Sequence, residues 1–199
     1  MNRRIGLISS AATLVTVVFF AIFMLINWSS AAYFTCIILE IGYLSMTAAY
    51  TSYAQPGYEA AKYLGLIFAI LYAVFVMLVY YAQITTLIQT ELTQQAADLL
   101  DYKKFGLFFS YDLYGYGMLA LSTFFVGLTI NALDKWSKLL KKLLLIHGIF
   151  AVVYFIPILG VFDTAMVGGE WIGIAVLEVW CLYFAPICFL SFHHFKQLK

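Results

Sequence analysis

The sequence predicts an all-α fold: a polytopic transmembrane helix bundle of six spans, forming a single domain over residues 1–199, with both termini cytoplasmic. Three observations predict it. Of the 199 residues, 64% are apolar and 11% charged, with a mean hydropathy of +0.94, whereas a soluble domain carries about 25% charged residues. The apolar residues gather into runs close to the roughly 20 that a helix needs to cross a bilayer. The lysines and arginines are shared unequally between alternate connections.

The first span is read over residues 5–26 and the second over 32–53, separated by the polar NWSS. Arg3 and Arg4 ahead of the first run resemble the start of a secretory signal. A run of about 22 residues exceeds the usual 7–15 of a signal core, so it is read as a span. The third span, 63–88, follows Gln55, Pro56 and Gly57, which stop a helix. The fourth is 107–131, the fifth 143–162 and the sixth 171–192. The last connection carries Gly160, Asp163, Gly168, Gly169 and Glu170.

Two connections have structure of their own. ELTQQAADLLDYKKF, residues 91–105, sets Leu92, Ala96, Leu99 and Leu100 on one helical face, which predicts a short amphipathic helix over the outer mouth of the bundle. DKWSKLLKKLLL, residues 134–145, sets Trp136, Leu139 and Leu140 among four lysines and reads as a basic collar at the headgroups.

Orientation follows from charge. Of the 11 Lys and Arg, only Lys103 and Lys104 fall on the side assigned to the exterior, and the others mark the cytoplasmic side. The outer connections instead hold Glu91, Asp98, Asp101, Asp163 and Glu170. This order also suits a 3+3 inverted repeat, although no residues match between the halves.

With the ends assigned, a rise of about 1.5 Å per residue puts Glu40 at about 12 Å from the outer end of its span and Glu178 at about 10 Å. Asp112, Gln83, Thr85 and Thr86 fall in the same outer half. Cys36, Glu40, Tyr43, Thr47 and Tyr50 form a helical stripe; Tyr72, Val76, Tyr80 and Gln83 form another; Asp112, Tyr116, Leu119 and Thr123 form a third. A carboxylate in mid-membrane costs about 2.5–3.5 kcal/mol even on lenient scales, so the stripes should face one another. No Lys or Arg lies at that depth. The compensating charge is then a proton, a cation or a cationic ligand, unless the carboxyls act only as hydrogen-bonding glue between helices.

The candidate ligand-binding residues are therefore Glu40, Glu178, Asp112, Tyr43, Tyr80, Gln83 and Tyr116. No metal site and no cofactor are expected. His193 and His194 are adjacent and diverge by about 100° on a helix, His147 belongs to another span, and Cys36, Cys181 and Cys188 form no CxxC pair. Pro157 and Pro186 are expected to kink their spans. There is no HExxH, GxSxG or Walker motif, and no lysine in mid-span.

YYAQITTL at residues 80–87, the amphipathic loop, YDLYGYGMLALSTFFVGL at 111–128 and WSKLLKKLLLIHGI at 136–149 resemble a group of small six-helix bacterial integral membrane proteins of unknown function. The resemblance, which covers about the last 120 residues, implies a multi-pass protein of a prokaryotic cytoplasmic membrane. It carries no activity with it.

Three functions are left. The first is a binding or transport protein with an outward-facing, acidic, tyrosine-lined intramembrane cavity for a cation or an amphipathic cationic small molecule. The second is a non-catalytic sensor or accessory subunit. The third, ranked last, is an intramembrane enzyme acting on lipid, with Glu40 and Glu178 as an acid/base pair. The expected partners are the lipid bilayer, protons or a small cationic ligand, and a homo-oligomer or partner subunit. A net charge of +1 gives no field for nucleic acid.

Overall fold

A computed structural model describes residues 1–132, 134–159 and 170–198. The described residues form seven α-helices: α1 Asn2–Leu25, α2 Ser29–Thr51, α3 Glu59–Thr85, α4 Gln94–Leu100, α5 Leu107–Thr129, α6 Lys135–His147 and α7 Glu170–Gln197. Four of them are long and apolar enough to cross a membrane: α1, α2, α3, and α7 over Gly173–Gln197. The chain is an all-α membrane protein. The fourth expected span, α5, has 23 residues, about 35 Å at the helical rise. It dilutes its apolar residues with Asp112, Ser122, Thr123 and three tyrosines.

The largest departure from expectation lies in the fifth segment. In place of one helix over 143–162, α6 begins at Lys135 and changes at Gly148 to 3-10 winding over Gly148–Phe155 and Pro157–Leu159. The early start has a local cause. Asp134 caps α6, accepting hydrogen bonds from the backbone N–H of Trp136 at 2.8 Å and of Ser137 at 3.2 Å, which satisfies donors that the first turn leaves free. The lysine-rich collar is thus the first two turns of α6. The connection from 160 to 169, with Asp163, lies outside the described residues, as does Lys199. Pro186 sits within α7, which continues through it.

A short helix, α4, stands in the expected segment, capped by Thr93, whose hydroxyl accepts from the Ala96 N–H; Leu92 precedes it and Leu99 is exposed, so the expected apolar face is only partly laid down. A 3-10 turn, Tyr102–Lys104, follows.

The helices close into a ring. α1 packs on α2, α2 on α3, α3 on α5, α5 on α6 and the 3-10 segment, α6 on α7, and α7 back on α1. Arg3 fastens the closure, donating to the backbone oxygens of Phe195 at 3.2 Å and Lys196 at 2.8 Å. At that same end the Gln55 N–H reaches the Thr129 oxygen and Lys141 reaches the Ile130 oxygen.

The ring is apolar outside and carries its polar groups inside. α1 exposes Ile8 at 70% and α7 exposes Leu182 at 75%, while Ser10, Thr13, Glu40, Asp112, Ser122 and Thr123 are buried. Hydrocarbon gives no hydrophobic drive between helices, so close packing and internal hydrogen bonds must hold such an interior together. The hydroxyls of Ser9, Ser10, Thr13 and Thr16 bond carbonyls of the preceding turn, leaving a smooth face for α2. At Gly42 a Cβ would stand 2.6 Å from the Thr13 Oγ1. At Gly115 a Cβ would stand 2.5 Å from Val76 Cγ2 and 3.4 Å from Phe75 Cβ, so α5 meets α3 at a distance only glycine permits.

Replacing Gly115 by Val should therefore force α5 away from α3 and cost about 1–3 kcal/mol. Gly173, with no heavy atom within 4 Å of its Cβ position, is the control. Thermal unfolding in detergent should show a lowered midpoint for Gly115→Val and an unchanged or raised one for Gly173→Ala.

Candidate functional site

The stripes predicted on α2, α3 and α5 meet in the ring. Glu40 and Asp112, at 0% and 2% exposure, are buried within electrostatic reach of each other. The Tyr72 hydroxyl lies beside the Glu40 carboxyl, the Tyr80 hydroxyl beside Asp112, and the Tyr116 hydroxyl beside the Cys36 thiol. One contact in this group has hydrogen-bond geometry: the Cys36 thiol, one helical turn before Glu40, donates to Glu40 Oε1 at 3.5 Å. Glu40 Oε2, Asp112 Oδ1 and the hydroxyls of Tyr72, Tyr80 and Tyr116 are buried without a partner among the described residues. Buried polar atoms are almost always paired, so five orphans on neighbouring side chains call for an explanation.

The rings around them fix the hydroxyls in place. Tyr72 touches Tyr43 at 5.6 Å and Tyr116 at 5.8 Å between centroids. Tyr80 stacks on Tyr33 at 5.2 Å, and Tyr116 meets Trp180 edge-on at 5.1 Å.

Other expected site residues have different surroundings. Tyr43 is buried beside this group, but its hydroxyl donates to Ser122 Oγ at 2.7 Å, which in turn donates to the Gly65 oxygen at 2.7 Å. That chain ties α2, α5 and α3 together. Gln83 turns its amide to the loop: Nε2 donates to the Leu100 oxygen at 2.8 Å and also to the Val79 oxygen of its own helix at 3.3 Å, and Oε1 accepts from the Tyr102 N–H at 3.3 Å. Glu178 is half-buried on α7, its Oε1 lacks a partner, and the group within its electrostatic reach is Cys181. The charged neighbour of Glu40 is Asp112.

Cys36 and Tyr72 are members of the cluster that the candidate set omits. Both were on the helical stripes, Cys36 four residues before Glu40 and Tyr72 eight before Tyr80, and nothing in the sequence separates them from Tyr43 or Gln83.

The histidines do not converge. His147 is buried, with Nδ1 2.8 Å from the Thr123 hydroxyl and Nε2 accepting from the Trp180 indole N–H at 3.2 Å. The Thr123 hydroxyl donates to the Ala120 oxygen, so Nδ1 carries the hydrogen and the ring is neutral. His194 bonds Ser137 and His193 bonds Gln197. Among the described residues no three His, Cys, Asp or Glu side chains gather as metal ligands.

Comparison of the chain with protein-family models, curated proteins and solved structures gives no match.

Because the Tyr43 hydroxyl serves the helix interface, Tyr43→Phe should lower stability by about 1 kcal/mol. It should leave the titration of the Glu40–Asp112 pair unchanged. A shifted pair titration in Tyr43→Phe, measured by proton uptake, would make its hydroxyl part of the site.

Proposed function

We propose that this chain is a multi-pass protein of a prokaryotic cytoplasmic membrane that binds, and carries across the bilayer, a small cation at the Glu40–Asp112 pair, the proton being the occupant best suited to so enclosed a site. The observation that carries the reading is the set of five buried, unpartnered oxygens contributed by α2, α3 and α5. Two carboxyls and three phenols are all acceptors that can also hold an exchangeable hydrogen. Among the described residues the groups within reach of Glu40 include Tyr72, Cys36, Asp112, Tyr43 and Tyr116, none of them cationic. A buried carboxylate without a counter-charge takes a proton or binds a cation rather than stay ionised. Enclosure on all sides argues against an amphipathic organic cation, and among the described residues no three His, Cys, Asp or Glu side chains gather to hold a metal ion.

Six crossings belong to the same proposal, with α5 and the α6 to 3-10 segment joining the four most apolar helices. α5 is the most thoroughly buried long helix, and its Asp112, Tyr116, Ser122 and Thr123 face protein rather than lipid. The end that holds Arg3, Arg4, Lys62, Lys138 and Lys196 is taken as cytoplasmic. Cysteines placed at the exposed Lys138 and Glu91 test this on intact cells with an impermeant thiol reagent. Glu91→Cys should be labelled and Lys138→Cys protected, and the reverse pattern would invert the orientation.

The functional test is a titration combined with flux. Wild-type protein should take up about one proton on the coupled pair, and Glu40→Gln and Asp112→Asn should each abolish that uptake while still folding. In liposomes the wild type should collapse an imposed pH gradient and both variants should not. Unchanged uptake in both variants would refute the site, and uptake without flux would favour the sensor reading.

A further inference from the structure

We propose that protons reach the Glu40–Asp112 pair from the α4 end of the bundle, through an aromatic cavity above Tyr33 and Tyr102, and that Gln83 is the latch holding this route shut. The inference rests on the reading of the pair as a proton site, and adds to it the direction of access and its control.

The cavity has a volume of about 40 Å³ and is lined among others by Phe23, Asn27, Ser29, Tyr33, Tyr102 and Lys103. That is room for water-sized occupants rather than an organic ligand. Its inner wall is aromatic. Tyr33 and Tyr102 both line it, and both touch Tyr80, at 5.2 and 6.1 Å between centroids. The Tyr80 hydroxyl is buried, unpartnered and beside Asp112. Two successive layers of tyrosine rings, Tyr33 with Tyr102 and then Tyr80, thus separate a solvent-sized space from the carboxyl. On the far side of Glu40 the core runs on through Tyr43, Met46, Leu119 and Phe184, all fully buried, with the Tyr43 hydroxyl already bonded to Ser122. Of the unpartnered hydroxyls beside the pair, that of Tyr80 leads toward α4, whereas the unpartnered Tyr50 hydroxyl lies farther off, at the basic end against Phe195.

Tyr102 belongs to the strap formed by α4 and the 3-10 turn, and Gln83 holds the strap at two successive points. It donates to the Leu100 oxygen and accepts from the Tyr102 N–H, from a position on α3 one turn beyond Tyr80. Gln83 is itself buried, so water does not compete for these bonds. The strap ends at Phe105, a non-glycine residue at φ 54°, in the left-handed region that such residues rarely occupy unless the surroundings impose it. A strap bent against its preference, whose buried side-chain hydrogen bonds to α3 come from one amide, is suited to opening.

The test is the kinetics of proton uptake by the full chain in detergent or bilayer discs, after a pH jump, followed with a pH-indicator dye. Gln83→Ala should speed uptake at least tenfold with unchanged amplitude. Ser29→Trp, which fills the cavity from its partly exposed rim, should slow it several-fold, again with unchanged amplitude. The second variant leaves the latch intact, so it decides the route even should Gln83→Ala fail to fold. An unchanged rate in Ser29→Trp overturns the route, and an unchanged rate in folded Gln83→Ala overturns the latch. Amplitude reports the pair and rate reports the access, so loss of the wild-type amplitude is a failure of the proton-site reading alone.

Discussion

Two carboxyls with no counter-cation among the described residues, in a closed apolar ring, are the constraint on which the rest of the structure depends. Left ionised in a medium of low dielectric, each would carry a solvation penalty far beyond what helix packing supplies. The ring is stable if the pair is neutralised by something it binds and if the remaining polar atoms have small, orientable partners. Tyrosine meets both conditions, because its ring packs as a hydrophobe while its hydroxyl reaches a carboxyl. That accounts for the concentration of phenols around Glu40 and Asp112. The close approach at Gly115 completes the arrangement, bringing α5, which carries Asp112 and Tyr116, against α3, which carries Tyr72 and Tyr80.

The two ends of the bundle are held in different ways. At the basic end, chain closure uses firm contacts: Arg3 on two backbone oxygens of α7, His194 on Ser137 and Lys141 on the end of α5. At the other end, Gln83 fastens a short strap whose helix has no fully buried residue. Segments with few buried contacts open at low cost relative to the core. Between the two ends, Trp180 links the site to the fifth segment, touching Tyr116 with its ring and His147 with its indole N–H. His147 is also the residue at which α6 gives way to 3-10 winding.

Much of this was legible in the sequence. Runs of apolar residues found the long helices to within a few positions, and helical spacing put Glu40, Tyr80, Asp112 and Tyr116 on faces that meet. Periodicity specifies a face but not which atom on it is already bonded. Gln83 and Tyr43 shared stripes with the cluster, yet their partners, the Leu100 and Tyr102 backbone and the Ser122 hydroxyl, come from segments 17 to 79 residues away. Depth counted along a helix was a weaker guide than facing. Glu178 matched Glu40 in depth, but it is half-buried near Cys181 while Asp112 is the carboxyl next to Glu40. The fifth segment was misjudged because hydropathy does not separate α from 3-10 winding. The capping signal of Asp134 ahead of Trp136 and Ser137 was in the sequence, and it sets the helix start better than the apolar run does.

The central claim is that Glu40 and Asp112 share a bound proton in an enclosed interior, and infrared spectroscopy of the purified protein in bilayer discs at neutral pH tests it most directly. The account predicts the carbonyl stretch of a protonated, unhydrated carboxyl, absent in Glu40→Gln and displaced or absent in Asp112→Asn. A spectrum showing both carboxyls ionised at neutral pH, or a protonated band that survives both substitutions unaltered, would contradict it.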